Sequence, residues 1–185
     1  MSIAAVLLAA GAGSRFLGET HKLRAPFRGS TVVQHALAGA LQAELDATYI
    51  VTGAVELRDL IGSDVILVQN HSWELGQASS LRAGVFVAEN DGHEAVVVGL
   101  GDQPLIGKQA WQAVSECSGD LVTATFGGRR SPPVKLGAAV WPLLPISGDA
   151  GARVLMQMSP ERVTEVSCTG EPVDLDTLKD LKSWS

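Results

Sequence analysis

The chain has 185 residues, of which 46% are hydrophobic and 5% aromatic, and a formal net charge of -6. This length favours one domain with a substantial core, so we predict a single domain over residues 1–185. No stretch approaches the roughly 20 consecutive apolar residues of a membrane-spanning helix, and the acidic balance argues against nucleic-acid binding. The N-terminus carries no positively charged leader, so we expect a cytoplasmic protein whose partners include neither membranes nor nucleic acids.

A glycine-rich segment follows the first predicted strand. Residues 3–8 form an apolar run that is typical of a buried parallel strand. Residues 9–13, Ala-Ala-Gly-Ala-Gly, have almost no side chains, so their backbone N–H groups are free to approach a ligand, as in phosphate-binding loops. One acidic residue, Glu19, accompanies four basic ones between residues 11 and 30, which favours a small anion as ligand. The basic residues are Arg15, Lys22, Arg24 and Arg28.

Two known glycine-rich patterns do not fit this segment. The dinucleotide fingerprint G-x-G-x-x-G, started at Gly11, requires glycine where the chain has Phe16. Its usual acidic residue after the second strand is also missing, because Gly53 and Ala54 follow that strand. The P-loop pattern requires Gly-Lys at positions 16 and 17, which are Phe16 and Leu17. A NAD(P)-linked oxidoreductase and a P-loop NTPase are therefore disfavoured.

Apolar runs and amphipathic segments alternate along the rest of the chain. Continuous apolar runs predict strands at residues 48–52, 65–68, 94–100, 120–125 and 162–167. Helical spacing predicts five helices. The first begins after Ser30 or Thr31 and continues to Leu45, the second covers 55–61, and the third begins after a cap at Ser79 or Ser80. The fourth contains Trp111, and the fifth contains Leu178 and Leu181. The expected fold class is α/β, a three-layer α/β/α sandwich with a mostly parallel sheet.

Asp102 is the first candidate metal ligand. It follows the predicted strand at 94–100 in the sequence Gly101-Asp102-Gln103-Pro104. Ligands of open parallel sheets bind at the carboxyl ends of the strands, where this segment and the glycine-rich segment both lie. Mg²⁺ binds phosphates through one or two carboxylates, so Asp102 suits that ion. A turn-forming aspartate ahead of a helix is the alternative.

Two later polar segments allow both a functional and a structural interpretation. Residues 70–81 place a helix N-terminus with free N–H groups beside a loop, which suits a ligand or is an ordinary capped surface loop. Residues 127–136 contain two glycines and two prolines and predict a rigid, exposed connection. Its basic residues suit a second anionic substrate or a solvated hairpin; they are Arg129, Arg130 and Lys135.

The C-terminal third adds further acidic candidates. Residues 141–146 predict apolar packing, and Asp149 is placed to cap a helix with Arg153 one turn later. Asp174 and Asp176 alternate, so in an extended segment they point the same way. Either two carboxylates on one face bind a metal, or one of them caps the terminal helix.

Five segments, taken in order, resemble the molybdenum cofactor cytidylyltransferases of the MobA-like NTP transferase group. The match covers nearly the whole chain, and its motifs are jointly specific. They are LAAGAGSRF at 8–16 with Lys22; Asn70, Trp73, Gly76, Ser79, Ser80 and Leu81; GDQP at 101–104; Pro133-Val134 with GDAGAR at 148–153; and DLDT at 174–177. The resemblance implies a glycosyltransferase-A-like fold and Mg²⁺-dependent transfer of CMP from CTP to molybdopterin, with release of pyrophosphate.

The resemblance also implies alternatives of other classes. The nucleotide is GTP in related guanylyltransferases, but the Leu8-Ala9-Ala10-Gly11 form of the first motif goes with CTP. The acceptor could be another phosphorylated small molecule, such as a sugar phosphate. A non-catalytic carrier would bind the nucleotide–pterin product and deliver it to a molybdenum hydroxylase, which is a possible partner in either case.

Residue roles follow from the resemblance position by position. Arg15, Lys22 and Asp102 would be catalytic, and Asp102 with Asp176, or alternatively Asp174, would hold the metal ion. The nucleotide would be bound by Leu8, Ala10, Gly11, Ala12, Gly13, Ser14, Arg15, Lys22, Asn70, Gly76, Ser79, Ser80 and Asp102. The acceptor would be bound by Gln103, Pro133, Val134, Asp149, Gly151 and Arg153.

Four departures from the family pattern stand out, and one is Pro132 in place of the histidine of the family's His-Pro-Val. Leu17 is an extra residue before Gly18, and Gln77 replaces the usual methionine after Gly76, which suggests a different base pocket. The residues after the last carboxylate, 177–179, also differ from the family's Thr-Pro-Glu.

Overall fold

The computed structural model describes all 185 residues and is built around one seven-stranded sheet. A separate two-stranded ribbon lies between the first strand and the first helix. The strands in chain order are β1 (Ile3–Ala9), β2 (Pro26–Phe27), β3 (Ser30–Thr31), β4 (Ala47–Thr52), β5 (Ile66–Gln69), β6 (Ala95–Leu100), β7 (Leu121–Phe126), β8 (Arg129–Gly137) and β9 (Val163–Ser167).

Helices cover both faces of the sheet. They are α1 (Val32–Leu41), α2 (Gln77–Asn90), α3 (Lys108–Glu116), α4 (Arg153–Met158) and α5 (Leu178–Trp184). Alternate side chains of β1 enter two different cores, because successive strand residues point to opposite faces. Ala5 and Leu7 pack with α1 and α3, whereas Val6 and Leu8 pack with α2 and α4. The predicted three-layer α/β/α sandwich is confirmed, and no helix is long and apolar enough to cross a membrane.

The sheet order is β5-β4-β1-β6-β8-β7-β9, and β8 alone runs antiparallel to its neighbours. The chain leaves β1 for β4 and β5 on one side and then returns to β6 on the other side. The strand order therefore reverses at β1 and β6, and the crevice outside their carboxyl ends is where open α/β sheets bind ligands.

The prediction of an exposed connection at 127–136 is wrong from Pro133 onward, whereas residues 127–130 are exposed and begin a β-hairpin, which was the alternative interpretation. Gly127 and Gly128, both at positive φ, form a short turn, and β8 then enters the sheet between β6 and β7. Lys135 is only 3% exposed, and its Nζ donates to the carbonyl oxygens of Ser115 and Cys117 at 3.1 and 2.6 Å. Lys135 therefore belongs to the core and not to a basic surface group.

Several predicted boundaries also differ from the structure. The helix predicted at 55–61 is a single 3-10 turn, Arg58–Leu60, and the first helix ends at Leu41 and not at Leu45. Leu143 and Ile146, predicted to pack, are 49% and 75% exposed. Short segments of this kind are held by contacts that are distant in sequence, so local patterns place their ends poorly.

Candidate active site

The glycine-rich loop and the Asp102 loop meet at the reversal point of the sheet. Leu8 of β1 pairs in register with Leu100 of β6, and the Gly101 N–H donates to the Leu8 carbonyl at 2.8 Å. A Cβ at Gly101 would lie 3.1 Å from the Cβ of Ala9, which is tighter than an ordinary contact. A glycine at this position therefore lets Asp102 approach the glycine-rich loop.

His21 holds the glycine-rich loop in place. Its Nδ1 accepts a hydrogen bond from the Leu23 N–H at 3.2 Å, so its proton sits on Nε2, which donates to the Gly11 carbonyl at 3.0 Å. Burial, followed by the charge of Lys22, lowers the pKa of His21 and outweighs the opposing hydrogen bonds. The sequence analysis missed this residue, because its partners are backbone groups that no spacing pattern reveals.

Lys22 joins two of the predicted metal ligands. Its Nζ lies 2.6 Å from Asp102 Oδ2 and 2.7 Å from Asp176 Oδ1, and Arg15 Nη2 lies 2.8 Å from Asp176 Oδ2. The Lys22 side chain is 12% exposed and that of Arg15 76%. Burial lowers the pKa of Lys22, but the two carboxylates together outweigh burial, and the net pKa is raised. Lys22 is therefore a protonated and largely buried bridge between the two aspartates.

One backbone hydrogen bond brings the C-terminal aspartates to the site. The Leu175 N–H donates to the Asp102 carbonyl at 2.9 Å, and the Leu175 side chain is fully buried. On either side of Leu175, Asp176 contacts Lys22, and Asp174 accepts from Gln103 Nε2 at 2.8 Å. Burial, followed by the negative charge of Asp102, raises the pKa of Asp174. The two carboxylates therefore have different partners, and Asp176 is the one that shares a cation with Asp102.

A cavity of about 390 Å³ lies against the glycine-rich loop, and we call it the glycine-loop cavity. It contains eleven of the thirteen residues predicted to bind the nucleotide, and Asp176 and Asp149 also line it. Trp73 and Glu74 also form part of its wall, and they belong to the segment at 70–81 that the resemblance places beside the base and ribose. The predicted nucleotide residues in the lining are Leu8, Ala10, Gly11, Ala12, Gly13, Ser14, Arg15, Lys22, Gly76, Ser80 and Asp102.

Asn70 and Ser79, predicted to bind the nucleotide, lie behind this wall and not in it. Asn70 is 6% exposed, and its Nδ2 donates to the hydroxyl oxygens of Ser79 and Ser80, each at 2.9 Å. Its Oδ1 accepts from the Ser72 N–H at 2.9 Å. Asn70 therefore ties the loop that carries Trp73 to the first turn of α2.

The N-terminus of α2 differs from the prediction of a side-chain cap with free N–H groups. Gly76 precedes the helix at φ 94°, and no side chain caps it. The Ala78 N–H donates to the Gly148 carbonyl at 2.9 Å, so a protein group occupies that donor. Asp149 does not cap α4 either, since Ala152 precedes that helix. The segment around Gly148 instead covers the start of α2.

A larger cavity, of about 810 Å³, adjoins the first, and we call it the arginine cavity. Arg129, Arg130 and Arg153 line it, together with apolar side chains that include Leu81 and Met156. Arg130 also pairs with Glu165 at 2.7 Å. Among the predicted acceptor residues, Gln103, Val134 and Arg153 belong to its lining, whereas Pro133, Asp149 and Gly151 do not.

The two cavities share three lining residues, Leu8, Gln77 and Leu100. They therefore meet above the paired ends of β1 and β6. A ligand in the glycine-loop cavity and one in the arginine cavity would contact each other at this junction. Such a pair of adjoining sites suits the transfer of a group between two substrates.

Asp102 and Asp176 suit a hard divalent cation. Each places one carboxylate oxygen against the same Lys22 nitrogen, so the protein already presents both to a single positive charge. Mg²⁺ and similar ions are commonly held by one or two carboxylates together with phosphate oxygens and waters. Asp174 is engaged by Gln103 and is not part of this pair.

Comparisons with known proteins agree with this geometry. Residues 5–164 match the family described as the MobA-like NTP transferase domain. The nicotine blue oxidoreductase of Paenarthrobacter nicotinovorans is 32% identical over 198 residues, which is 97% of this chain and 94% of that protein. The purine catabolism protein PucB of Bacillus subtilis is 30% identical over 191 residues, covering 93% and 90%.

Solved structures resemble the whole chain. A nucleotidyl transferase from Methanothermobacter superposes with a TM-score of 0.83 at 25% identity, covering 98% of this chain and 95% of that one. A Mycobacterium tuberculosis protein solved in complex with manganese has a TM-score of 0.79 at 24% identity, covering 100% and 98%. The second likeness concerns the fold alone.

Proposed function

The chain belongs to the MobA-like NTP transferase family of nucleotidyltransferases, and from that premise we propose that it transfers CMP from CTP to molybdopterin and releases pyrophosphate. One observation carries the proposal. The glycine-loop cavity, with Lys22, Asp102 and Asp176, meets the arginine cavity at Leu8 and Leu100. Two adjoining sites of this kind suit one phosphorylated substrate each.

The reaction requires positioning and charge neutralisation more than covalent help from the protein. An oxygen of the acceptor phosphate attacks the α-phosphorus of CTP, and the bond between that phosphorus and the oxygen bridging to the β-phosphate breaks. Pyrophosphate leaves with the electron pair. Because the acceptor phosphate is already ionised near neutral pH, no side chain has to remove a proton. Lys22 and Arg15 lie where they can bind the triphosphate and the departing charge.

We assign Asp102 and Asp176 as the residues that would hold Mg²⁺. When bound, the ion would neutralise charge on the phosphate oxygens. Both carboxylates are 19% exposed and face a cation in the protein, so they are suitable ligands. Asp174 has a raised pKa and a hydrogen bond to Gln103, which makes it the weaker ligand of the two C-terminal candidates.

The choice of CTP depends on the first motif and on Ala10. Ala10 is 4% exposed and lines the glycine-loop cavity. Its carbonyl oxygen accepts from the Ala54 N–H at 3.0 Å, which fixes this backbone beside β4. The resemblance associates this Ala-Ala-Gly form with CTP and a glycine at the third position with GTP.

The arginine cavity supports a phosphorylated, flat acceptor. Its apolar wall, which includes Leu81 and Met156, suits a planar heterocycle, and Arg129 and Arg153 suit its phosphate. Molybdopterin has both parts. A sugar phosphate would have no apolar ring to pack against this wall, so it is the weaker acceptor. We further propose that the product is delivered to a molybdenum hydroxylase.

The proposal is tested by incubating the purified protein with CTP labelled at the α-phosphate, Mg²⁺ and molybdopterin. We expect the label to appear in a product whose mass equals the pterin plus CMP, and the Asp102→Asn variant to form none. Label transfer to a sugar phosphate and not to the pterin would reassign the acceptor. Tight binding of the product without any label transfer would favour the carrier role.

An oxidoreductase is a second candidate, because the relative from Paenarthrobacter carries that name. The structure offers little for a dinucleotide at the glycine-rich loop. Such loops usually lead directly into a helix whose N-terminus binds pyrophosphate, but here a 3-10 turn at Lys22–Arg24 follows and the first α-helix begins at Val32. Binding of NADH, NADPH or flavin at micromolar concentration, without CTP binding, would favour this candidate.

A further inference from the structure

Asp176 lies in a segment without regular secondary structure. Residues 168–176 follow β9 and precede α5, so neither strand pairing nor a helix fixes their position. Asp102, in contrast, comes shortly after the buried strand β6. Two carboxylates bind one cation well only when the protein holds both at the right separation. Contacts outside the sheet and the helices therefore have to place Asp176 beside Asp102.

Two consecutive residues after β6 hold this segment. The Leu175 N–H donates to the Asp102 carbonyl at 2.9 Å, and Gln103 Nε2 donates to Asp174 Oδ1 at 2.8 Å. The Leu175 side chain, between the two aspartates, is fully buried. Because two neighbouring residues on one side contact two neighbouring residues on the other, they fix both the position and the direction of the chain that leads to Asp176.

Packing alone does not account for a glutamine at position 103. Gln103 is 4% exposed, its Nε2 also donates to Ser131 Oγ at 3.3 Å, and its Oε1 has no partner in the protein. A buried acceptor without a partner destabilises a fold, so an apolar side chain of similar size would pack here at lower cost. A carboxylate accepts hydrogen bonds and does not donate them, so the amide N–H is what Asp174 requires. The glutamine therefore serves Asp174 more than it serves the core.

We propose that Gln103 is a positioning residue, which holds Asp174 through Nε2 and thereby sets Asp176 at the separation from Asp102 that a divalent cation requires. The inference rests on the metal site of the proposed function. Asp174 is then the partner of Gln103 and not a ligand of the metal. Neither residue transfers a proton, and the bonds formed and broken remain those of the proposed nucleotidyl transfer.

The experiment measures the binding of α,β-methylene-CTP, which cannot release pyrophosphate, by calorimetry in MgCl₂ and in EDTA, without any acceptor. We call the affinity in MgCl₂ divided by the affinity in EDTA the magnesium ratio. Gln103→Met removes the donor and keeps the length of the side chain. We expect it to lower the magnesium ratio about tenfold or more, as for other residues that orient metal ligands, and to leave the affinity in EDTA nearly unchanged.

Two variants of Asp174 separate positioning from metal binding. Asp174→Asn keeps an oxygen that accepts from Gln103, so it should keep most of the magnesium ratio. Asp174→Leu removes that acceptor and should lower the ratio as far as Gln103→Met does, and combining the two changes should lower it no further, because both break the same hydrogen bond. Gln42→Met makes the same change as Gln103→Met at an exposed position outside both cavities and should behave as wild type.

An unchanged magnesium ratio in Gln103→Met would overturn the inference. A ratio that falls as far in Asp174→Asn as in Asp174→Leu would also overturn it, because the carboxylate charge would then be what matters. If Gln103→Met does not fold, Asp174→Leu removes the same hydrogen bond at an exposed position and decides the question.

Failure of the proposed function gives a different result, which is visible in wild type alone. Equal binding of α,β-methylene-CTP in MgCl₂ and in EDTA would remove the metal site assigned to Asp102 and Asp176, and no binding at all would remove CTP as the substrate. Either result would overturn the inference together with its premise, before any variant is compared.

Discussion

Lys22 Nζ lies 2.6 Å from Asp102 Oδ2, although 80 residues separate the two in sequence. The same nitrogen contacts Asp176 Oδ1 at 2.7 Å, so one ammonium group bridges both carboxylates assigned to the metal ion. The lysine therefore neutralises, in the ligand-free protein, the charge that a divalent cation would neutralise in the complex.

Removing the ammonium should expose a cation site. In Lys22→Met, Asp102 and Asp176 remain together without a positive partner at Nζ, so we expect a loss of about 1 to 3 kcal/mol in the free energy of unfolding. Millimolar MgCl₂ should restore much of that loss, because a ligand that binds the folded state stabilises it. Thermal unfolding with and without MgCl₂ measures this, with NaCl of equal ionic strength as the control.

The melting temperature of wild type should rise much less than that of Lys22→Met in the same MgCl₂, since the Lys22 ammonium already contacts the two carboxylates. Equal melting-temperature shifts in the two proteins would show that Lys22 does not compete with the cation.

Transfer activity of Lys22→Met should also fall about 10²-fold or more, because a charge that binds the triphosphate is lost.

The second prediction concerns Asp102 itself. Asp102→Asn keeps the size of the side chain and leaves Lys22 paired with Asp176, so we expect the unfolding free energy to stay within about 1 kcal/mol of wild type. Turnover should fall by about 10² to 10³. Asp59→Asn is the matched control, because Asp59 also pairs with a basic residue, Arg24 at 2.6 Å, but lies at an exposed position outside both cavities. Retained turnover in Asp102→Asn would remove Asp102 from the mechanism.

Much of this site was predictable, because open parallel sheets bind their ligands at the carboxyl ends of the strands. Asp102 and the glycine-rich segment follow buried strands, and parallel strands bring their carboxyl ends together, so the sequence placed them side by side correctly. The motif order identified the family, which is confirmed, as is the nucleotidyltransferase class.

Long-range contacts were not predictable. The two prolines and two glycines at 127–133 indicated an exposed connection, yet β8 is an inner strand whose Lys135 is satisfied by two carbonyl groups of a distant segment. The choice between Asp174 and Asp176 depends on the Leu175 N–H bond to Asp102, which no local pattern encodes. His21 likewise acts through backbone partners.

The third prediction is a pH dependence that originates at His21. Its folded-state pKa is lowered, so the unfolded chain takes up a proton more readily than the folded chain. The stabilising contribution is present above the unfolded pKa, about 6.5, and is lost as pH falls through that value toward the folded one. We therefore expect the unfolding free energy to drop between about pH 7 and pH 5.

The His21→Gln variant separates this effect from other titrations. Glutamine retains a donor for the Gly11 carbonyl but does not titrate, so its unfolding free energy should fall less steeply over the same pH range. Denaturant unfolding at several pH values measures both slopes. If the unfolding free energies of the two proteins fall with equal slopes as the pH is lowered, His21 does not contribute to the pH dependence.

The fourth prediction separates the two cavities. Arg153→Gln removes a charge from the lining of the arginine cavity alone, so we expect the KM for the acceptor to rise about tenfold, as for the loss of a hydrogen bond to a charged group. The KM for CTP should stay within about twofold of wild type, and steady-state kinetics with each substrate varied in turn measures both. An increase confined to the KM for CTP would reverse the assignment of the two cavities.

The central claim is most directly tested by pyrophosphate release from the purified protein with Mg²⁺ and molybdopterin, with CTP, GTP, ATP and UTP offered in separate reactions. The account predicts release with CTP, dependent on the pterin, and little with the other three. Pyrophosphate release with GTP and not with CTP would contradict the association of Ala10 with CTP. No release with any nucleotide from folded protein would contradict the proposed transfer.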